Sequence, residues 1–428
     1  MLNEFLIELF QKINEEDYDK VSNLLSIENF NCEINVKTES KPKRKQPVTM
    51  KMKIVSELLL IENIEEFVEQ IGGNLKHFEN GEIWILLISS HLKVLKHLNS
   101  SESNLKRFFN ASNEQINVIN NFLRIFTNSS QLSLLYSFGE DSWQLASLSG
   151  SSDAQEQAAR SINKLFIACI TERSSLTSQS RKWGTYRTAA LLLQVYFHLG
   201  QLNLVQNVLK ALQACELPGI NEFPRAHTVK FNYFLGRYHF GREEFESAEK
   251  CFTFCFERLQ QQQQQAFSKN FSSILHFLIP IKLILNLSKP NFEFISLFES
   301  KQNRLFYANL VEFIASGDLK SFTELLKLNY KQLIKAGSFS LYEKLVLLII
   351  RQRIRRIHFL TENSTRISLN LLHNLWDTNW PLDDVICLVA NAISRGLIRG
   401  YISEEKQFLV LSAQNPFPIN LTSALCDK

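Results

Sequence analysis

Residues 383–411 constrain this chain more than any other stretch. Asp383 stands where an N-cap is wanted, and Asp384 suits the positive end of a helix. Val385, Leu388, Val389, Ala392 and Ile393 then recur at helical spacing, which makes one face apolar. Gly396 follows at the point where a left-handed residue closes a helix. Residues 397–403 and 407–411 read as two short strands around the polar turn Ser403-Glu404-Glu405-Lys406. A helix followed by a two-stranded wing is the second half of a winged-helix unit.

Everything before that unit reads as helix. Gly (14) and Pro (9) are scarce for 428 residues, which excludes a turn-rich all-β fold and favours long helices. The length suffices for two or three domains with a substantial core. Formal net charge is only +4, so any basic surface must be local. Cys32, Cys169, Cys215, Cys251, Cys255, Cys387 and Cys426 form an odd, scattered set with no disulfide framework. No secretory signal opens the sequence and no apolar run reaches membrane-spanning length, so an intracellular, reduced protein is expected.

Four segments share one helical-hairpin pattern: Tyr18/Val21/Leu25, Leu202/Val205/Leu209, Phe245/Ala248/Phe252 and Leu319/Phe322/Leu326. Each follows a turn with Gly or Asp: Asp17, Gly200, Gly241 and Gly317-Asp318. Leu235-Gly236 with Phe245, Ala248 and Phe252 resembles a tetratricopeptide unit, in which the small residue lets two helices approach and aromatics fill the groove. Such residues are core, and stacked hairpins make a solenoid. The basic loop 37–53, the Ser/Asn-rich stretch 100–115 and residues 147–153 are expected to be connections. The glutamine run 260–265 is expected to be an expanded loop.

Catalytic chemistry has no foothold. The sequence has no G-x-x-x-x-G-K-[ST] phosphate loop, no H-E-x-x-H and no G-x-S-x-G elbow. Cys251 and Cys255, four apart on a helix without a second ligand pair, are expected to be small buried residues. No catalytic residue, metal, cofactor or small-molecule substrate is expected.

The charged signal is basic. Helix 341–360 begins almost wholly apolar and then turns to Arg351, Arg353, Arg355 and Arg356 around the stripe Ile350, Ile354, Ile357. Four guanidinium groups within two turns repel one another. They imply an anionic partner, either phosphate backbone or an acidic polypeptide, or else a solvated or internally paired face. Arg395, Arg399 and Lys406, at the winged-helix edge, extend the patch if the fold brings them near. Base-specific reading is not expected, because the candidate recognition helix opens with Asp383-Asp384 and its exposed positions Cys387, Asn391 and Ser394 include no Arg. Lys41, Lys43, Arg44 and Lys45 resemble a nuclear-import signal.

Helical repeats joined to a terminal winged helix resemble the PCI domain. Shorter motifs narrow the resemblance: Lys182-Trp183-Gly184, Asn232-Tyr233-Phe234-Leu235-Gly236-Arg237, Phe245-Glu246-Ser247-Ala248-Glu249, and the run 277–283. Gly400-Tyr401-Ile402-Ser403 and Gln414-Asn415-Pro416-Phe417-Pro418 add to it. Together, over about residues 181–418, they resemble the family of PCI domain-containing protein two and the signalosome subunit-twelve-like proteins. The resemblance implies a mostly α fold: a right-handed, tetratricopeptide-like helical-hairpin solenoid ending in a winged-helix subdomain. The expected organisation of the chain is an N-terminal helical region (1–153), which has no clear counterpart in the family, a helical-repeat solenoid (154–340), a linker helix with winged helix (341–418) and a tail (419–428). The resemblance further implies a non-enzymatic scaffold of a nuclear mRNA export complex, placed in the nucleus and at the pore, with some in the cytoplasm. The implied partners are a larger PCI-domain scaffold subunit, a small acidic disordered subunit and RNA or DNA backbone, with no membrane. Basic residues in helix 341–360 and at residues 399–402 match the family's basic positions. The alternative is a purely protein-interaction subunit of a signalosome-like or splicing-associated complex.

Overall fold

Among the described residues, strands occur only near the C-terminal end, and the rest is helices and their connections, as the scarcity of Gly and Pro requires. The computed structural model describes residues 2–26, 57–58, 60–72, 81–98, 105–125, 129–172, 180–260, 269–286, 300–376 and 380–418. The basic loop with Lys41, Lys43, Arg44 and Lys45, the glutamines after Gln260 and the tail 419–428 lie outside the described residues. The chain divides into two compact units, Met1–Phe231 and Asn232–Lys428.

The first unit contains α1 (Leu2–Asn14), α2 (Tyr18–Leu25), α3 (Ile64–Ile71), α4 (Gly81–Leu98), α5 (Leu105–Ile125), α6 (Leu132–Ser149) and α7 (Ser152–Ile170). After these come α8 (Thr185–Leu199), α9 (Leu202–Ala214) and the start of α10 (Arg225–Gly241). Asp17 caps α2 by accepting from Lys20 N at 3.3 Å, which frees its apolar face to pack. Leu6, Leu9, Ile13, Val21, Leu25 and Val68 form one buried cluster, with Trp84 set edge-on to Phe122 at 4.9 Å. One expectation is corrected here. The Ser/Asn-rich stretch 100–115 is helical from Leu105 onward, because Ile116, Ile119 and Phe122 supply an apolar face that outweighs weak local propensity.

The second unit holds the rest of α10, then α11 (Phe245–Gln260), α12 (Lys269–Asn286), α13 (Lys301–Ser316), α14 (Leu319–Ala336) and α15 (Phe339–Leu360). The tetratricopeptide-like reading of Gly236 holds physically. A Cβ there would meet the Phe252 ring at 3.0 Å, and Phe252 stacks on Phe277 with centroids 5.3 Å apart. Across both units, three of the four repeat triplets are wholly buried; in the second, Val205 is buried, Leu209 is half-buried and Leu202 is exposed. In the third repeat the left-handed turn residue is Glu243 (φ 62), not Gly241.

The C-terminal unit is β1 (Arg366–Ser368), α16 (Leu369–Asn374), α17 (Leu382–Ser394), β2 (Gly400–Ser403) and β3 (Phe408–Leu411). The strands form one antiparallel sheet ordered β1-β3-β2, which completes a winged helix. Val385, Val389 and Ala392 turn α17 inward, each buried Val worth roughly 2 kcal/mol of transfer free energy. Gly396 has φ 69, as the helix stop requires. Two boundaries differ from expectation. Pro381, not Asp383, precedes α17, so Asp383 and Asp384 lie in the first turn. The strand starts at Gly400, and Leu397 and Ile398 are buried ahead of it. Gly400 is required by close approach: a Cβ there would sit 2.2 Å from Val410 O.

Candidate nucleic-acid interface

The helix α15 is apolar on several sides through its first three turns, with Leu341, Leu345, Leu348, Ile349 and Ile350 buried. Its second half therefore emerges already packed, and the four arginines separate by the direction in which each leaves the helix.

Arg351 is 3% exposed and donates from Nη2 to Pro418 O at 3.0 Å and to Phe417 O at 3.3 Å. Burial, and secondarily the charge of Arg355, lowers its guanidinium pKa. Arg353 is 9% exposed and donates to Gly317 O at 3.2 Å and Leu375 O at 2.9 Å, with its guanidinium 5.3 Å from the Trp376 ring centre. Gly317 (φ 72) brings the α13–α14 turn onto α15: a Cβ there would meet Arg353 Cα at 3.1 Å. Arg356 donates to Ser316 O from an exposed position, and Arg355 is exposed. The expectation that all four face a polyanion is thus corrected for Arg351 and Arg353. Their donors hold backbone carbonyls of this same chain, which makes them clamps and the internally paired face the right description of that side.

Between the α13–α14 turn and the end of α15 lies a groove of ≈ 990 Å³. Phe313, Arg355, Arg356, Phe359, Leu360 and Leu375 line it, and Phe359, Leu360 and Leu375 are exposed. Glu312 and Asp318 line it as well, so its charge is mixed and the exposed apolar side chains set it apart, which suits an amphipathic polypeptide better than a sugar–phosphate backbone.

The other cations gather at the wing. Arg395 follows α17, Arg399 stands one residue before β2, Lys406 lies in the β2–β3 turn, and Arg366 begins β1. Backbone bonds fix the Arg399 position: its N–H donates to Pro416 O and its carbonyl accepts from Ser412 N, both at 2.8 Å. The side chains of Arg366, Arg399 and Lys406 are exposed, as are Cys387, Asn391 and Ser394 on α17. Opposing carboxylates are close in sequence: Glu404 and Glu405 share the turn with Lys406, while Asp383 and Asp384 lie at the far end of α17. Arg366 was not singled out in the sequence, because nothing local marks a three-residue strand.

Among the described residues, no group of three or more His, Cys, Asp or Glu is placed to hold a metal ion. None of the described helices is long and apolar enough to cross a membrane.

A PCI domain model matches residues 323–413, the stretch that holds most of α14, all of α15 and the winged helix. The chain carries a PCI domain. Curated relatives extend the likeness beyond that PCI domain. The Protein CSN12 homolog of Schizosaccharomyces pombe is 33% identical over 275 residues, 63% of this chain and 62% of that protein. PCI domain-containing protein 2 of Xenopus laevis is 29% identical over 269 residues, 62% of this chain and 65% of that one. The PCI domain-containing protein 2 homolog of Dictyostelium discoideum is 25% identical over 96% of this chain and 97% of its own length. The aligned stretch spans just under two thirds of the first two relatives.

Proposed function

We propose that this PCI-domain protein is a non-enzymatic scaffold subunit of a nuclear mRNA export complex. It pairs with a larger PCI-domain subunit and a small acidic subunit, and its basic wing holds RNA or DNA without sequence selection. It resides in the nucleus near the pore, with a cytoplasmic share. The observation that carries this reading is the exposed trio Arg366, Arg399 and Lys406, with Arg395 alongside, at the wing of a winged helix inside the PCI match. Arg351 and Arg353 have no part in it.

Three or four phosphate contacts give a binding constant that falls with salt at a log–log slope of about −2 to −3 for a single strand. The test is fluorescence anisotropy of labelled RNA with the full chain across a salt series, comparing wild type with R399E/K406E. Weaker binding with a shallower slope in the variant is expected. Equal affinity and slope in both proteins would overturn the nucleic-acid role.

A second reading, a purely protein-interaction subunit of a signalosome-like or splicing-associated PCI complex, draws on the groove between α13–α14 and α15. Its exposed Phe359, Leu360 and Leu375, with Arg355 and Arg356 on one side and Glu312 and Asp318 on the other, suit an amphipathic polypeptide. Under this reading L360D/L375D abolishes assembly with the acidic subunit, and wild type shifts no nucleic acid at low salt.

A further inference from the structure

The outer face of the winged-helix sheet carries something the basic trio does not explain. Cross-strand register sets Arg366, Val410 and Tyr401 side by side in one row, and Ser368, Phe408 and Ser403 in the next. The row between them, Ile367, Leu409 and Ile402, belongs to the opposite face by strand alternation, and Ile367 and Leu409 are buried. Tyr401 is 61% exposed and Phe408 38% exposed. Two aromatic side chains therefore stand on the solvent side of a sheet whose other side makes core.

Strand alternation puts both rings outside the core and next to each other on one face, so they form a contiguous patch and are not scattered singly. Their surroundings indicate what suits them. The residues flanking Phe408 across the sheet are both serines, so no bulky neighbour covers the ring from the sides. Arg366 lies in the Tyr401 row, Arg399 just before β2, and Lys406 two residues before Phe408. The two acidic groups nearest in sequence, Glu404 and Glu405, stand in the turn beyond Phe408. Negative charge is thus favoured most on the Arg366–Arg399 side of the rings, with Lys406 at the turn end beside the two carboxylates.

Tyr401 and Phe408 are diagonal neighbours on adjacent antiparallel strands, which places their side chains roughly 7–8 Å apart. Stacked bases along one strand of a duplex rise by only ~3.4 Å and present edges, not faces. Two rings at the wider spacing match bases that have been unstacked from each other and laid flat on a protein. From this arrangement we infer that the face β1-β3-β2 is a stacking platform for single-stranded nucleic acid. Tyr401 and Phe408 each take one base, and Arg366, Arg399 and Lys406 take the flanking phosphates. The inference rests on the nucleic-acid reading above and deepens it by assigning strandedness.

The test uses the full chain, a short fluorescein-labelled oligouridylate and a duplex of the same length class. Y401S/F408S is expected to weaken single-strand binding roughly ten-fold or more, while its salt slope stays that of wild type because no phosphate contact is lost. Y401F/F408Y, which keeps both π faces, is expected to bind as wild type does. A 2-aminopurine base within the oligonucleotide should lose fluorescence on wild type and keep it on Y401S/F408S. Circular dichroism of each variant controls for folding. Wild-type single-strand affinity in Y401S/F408S, with R399E/K406E still weakened, would overturn the platform and leave the charge reading standing. Failure of wild type to bind either nucleic acid at low salt would overturn both. A self-associated wild type that Y401S/F408S converts to monomer, with RNA binding intact, would assign the face to a polypeptide contact and overturn the platform.

Discussion

Replacing Arg353 by alanine separates a structural arginine from a binding one. The guanidinium makes two hydrogen bonds to carbonyls, Gly317 O and Leu375 O, and stands 5.3 Å from the Trp376 ring centre. Hydrogen bonds from a charged donor contribute about 1.5–3 kcal/mol each, measured against loss of one partner. The ring contact adds about 1 kcal/mol. Part of that sum is offset because burying the guanidinium was itself costly, so R353A is expected to lose about 3 kcal/mol. R353K should lose about half as much, since an ammonium reaches one carbonyl but cannot bridge both. R355A, at an exposed position, should stay within about 0.5 kcal/mol of wild type. Urea unfolding followed by tryptophan fluorescence measures this. Trp376 and Trp380 report the second unit, and Trp84, Trp143 and Trp183 report the first. With an m-value of about 3 kcal/mol/M, the R353A midpoint for the second unit falls by about 1 M. An R353A midpoint equal to that of wild type, or an R355A loss as large as that of R353A, would refute the clamp.

Two further outcomes follow from the same unit. In G400A the new Cβ would stand 2.2 Å from the backbone oxygen of Val410, so the hairpin must open at a cost of about 2–4 kcal/mol; hydrogen exchange at Val410 and Ser412, whose amides face β2, should accelerate, and unchanged protection would contradict the close approach. Burial pushes the His276 imidazole down to about 4, so between roughly pH 6.5 and 4 the unfolded chain binds a proton that the folded chain refuses. Stability is full above that window and falls by up to about 1.4 kcal/mol per pH unit on descending through it; H276Q should flatten that part of the melting-temperature profile, whereas a profile parallel to wild type would show that His276 is already charged in the fold.

The winged helix was legible where local chemistry is strong and illegible where the cause is distant. The apolar period of α17, the left-handed Gly396 and the polar turn all act over a few residues; the first two lie where the sequence placed them, and the turn is shifted by one residue, to 404–407, because Ser403 pairs with Phe408. Strand β1 escaped notice because Arg366-Ile367-Ser368 has one apolar residue and gains its strand character only from pairing with β3. The arginines of α15 were ambiguous for the same reason. The acceptors of Arg353 lie 36 and 22 residues away and those of Arg351 lie 66 and 67 away, so no pattern on the helix itself distinguishes a clamp from a binding group. The Gly236–Phe252 contact was readable because a tetratricopeptide-like hairpin closes it over sixteen positions of nearly continuous helix.

The order β1-β3-β2 has a consequence for how the chain tolerates an early stop codon. The two outer strands do not pair with each other; the strand made last seats between them. A ribosome that terminates anywhere between residues 404 and 407 leaves nearly all of the preceding sequence intact, yet strips both outer strands of their sheet partner. The same stop deprives the Arg351 guanidinium of the two carbonyls it holds at residues 417 and 418. Such a stop would therefore leave a buried cation unmatched and two orphan strand edges.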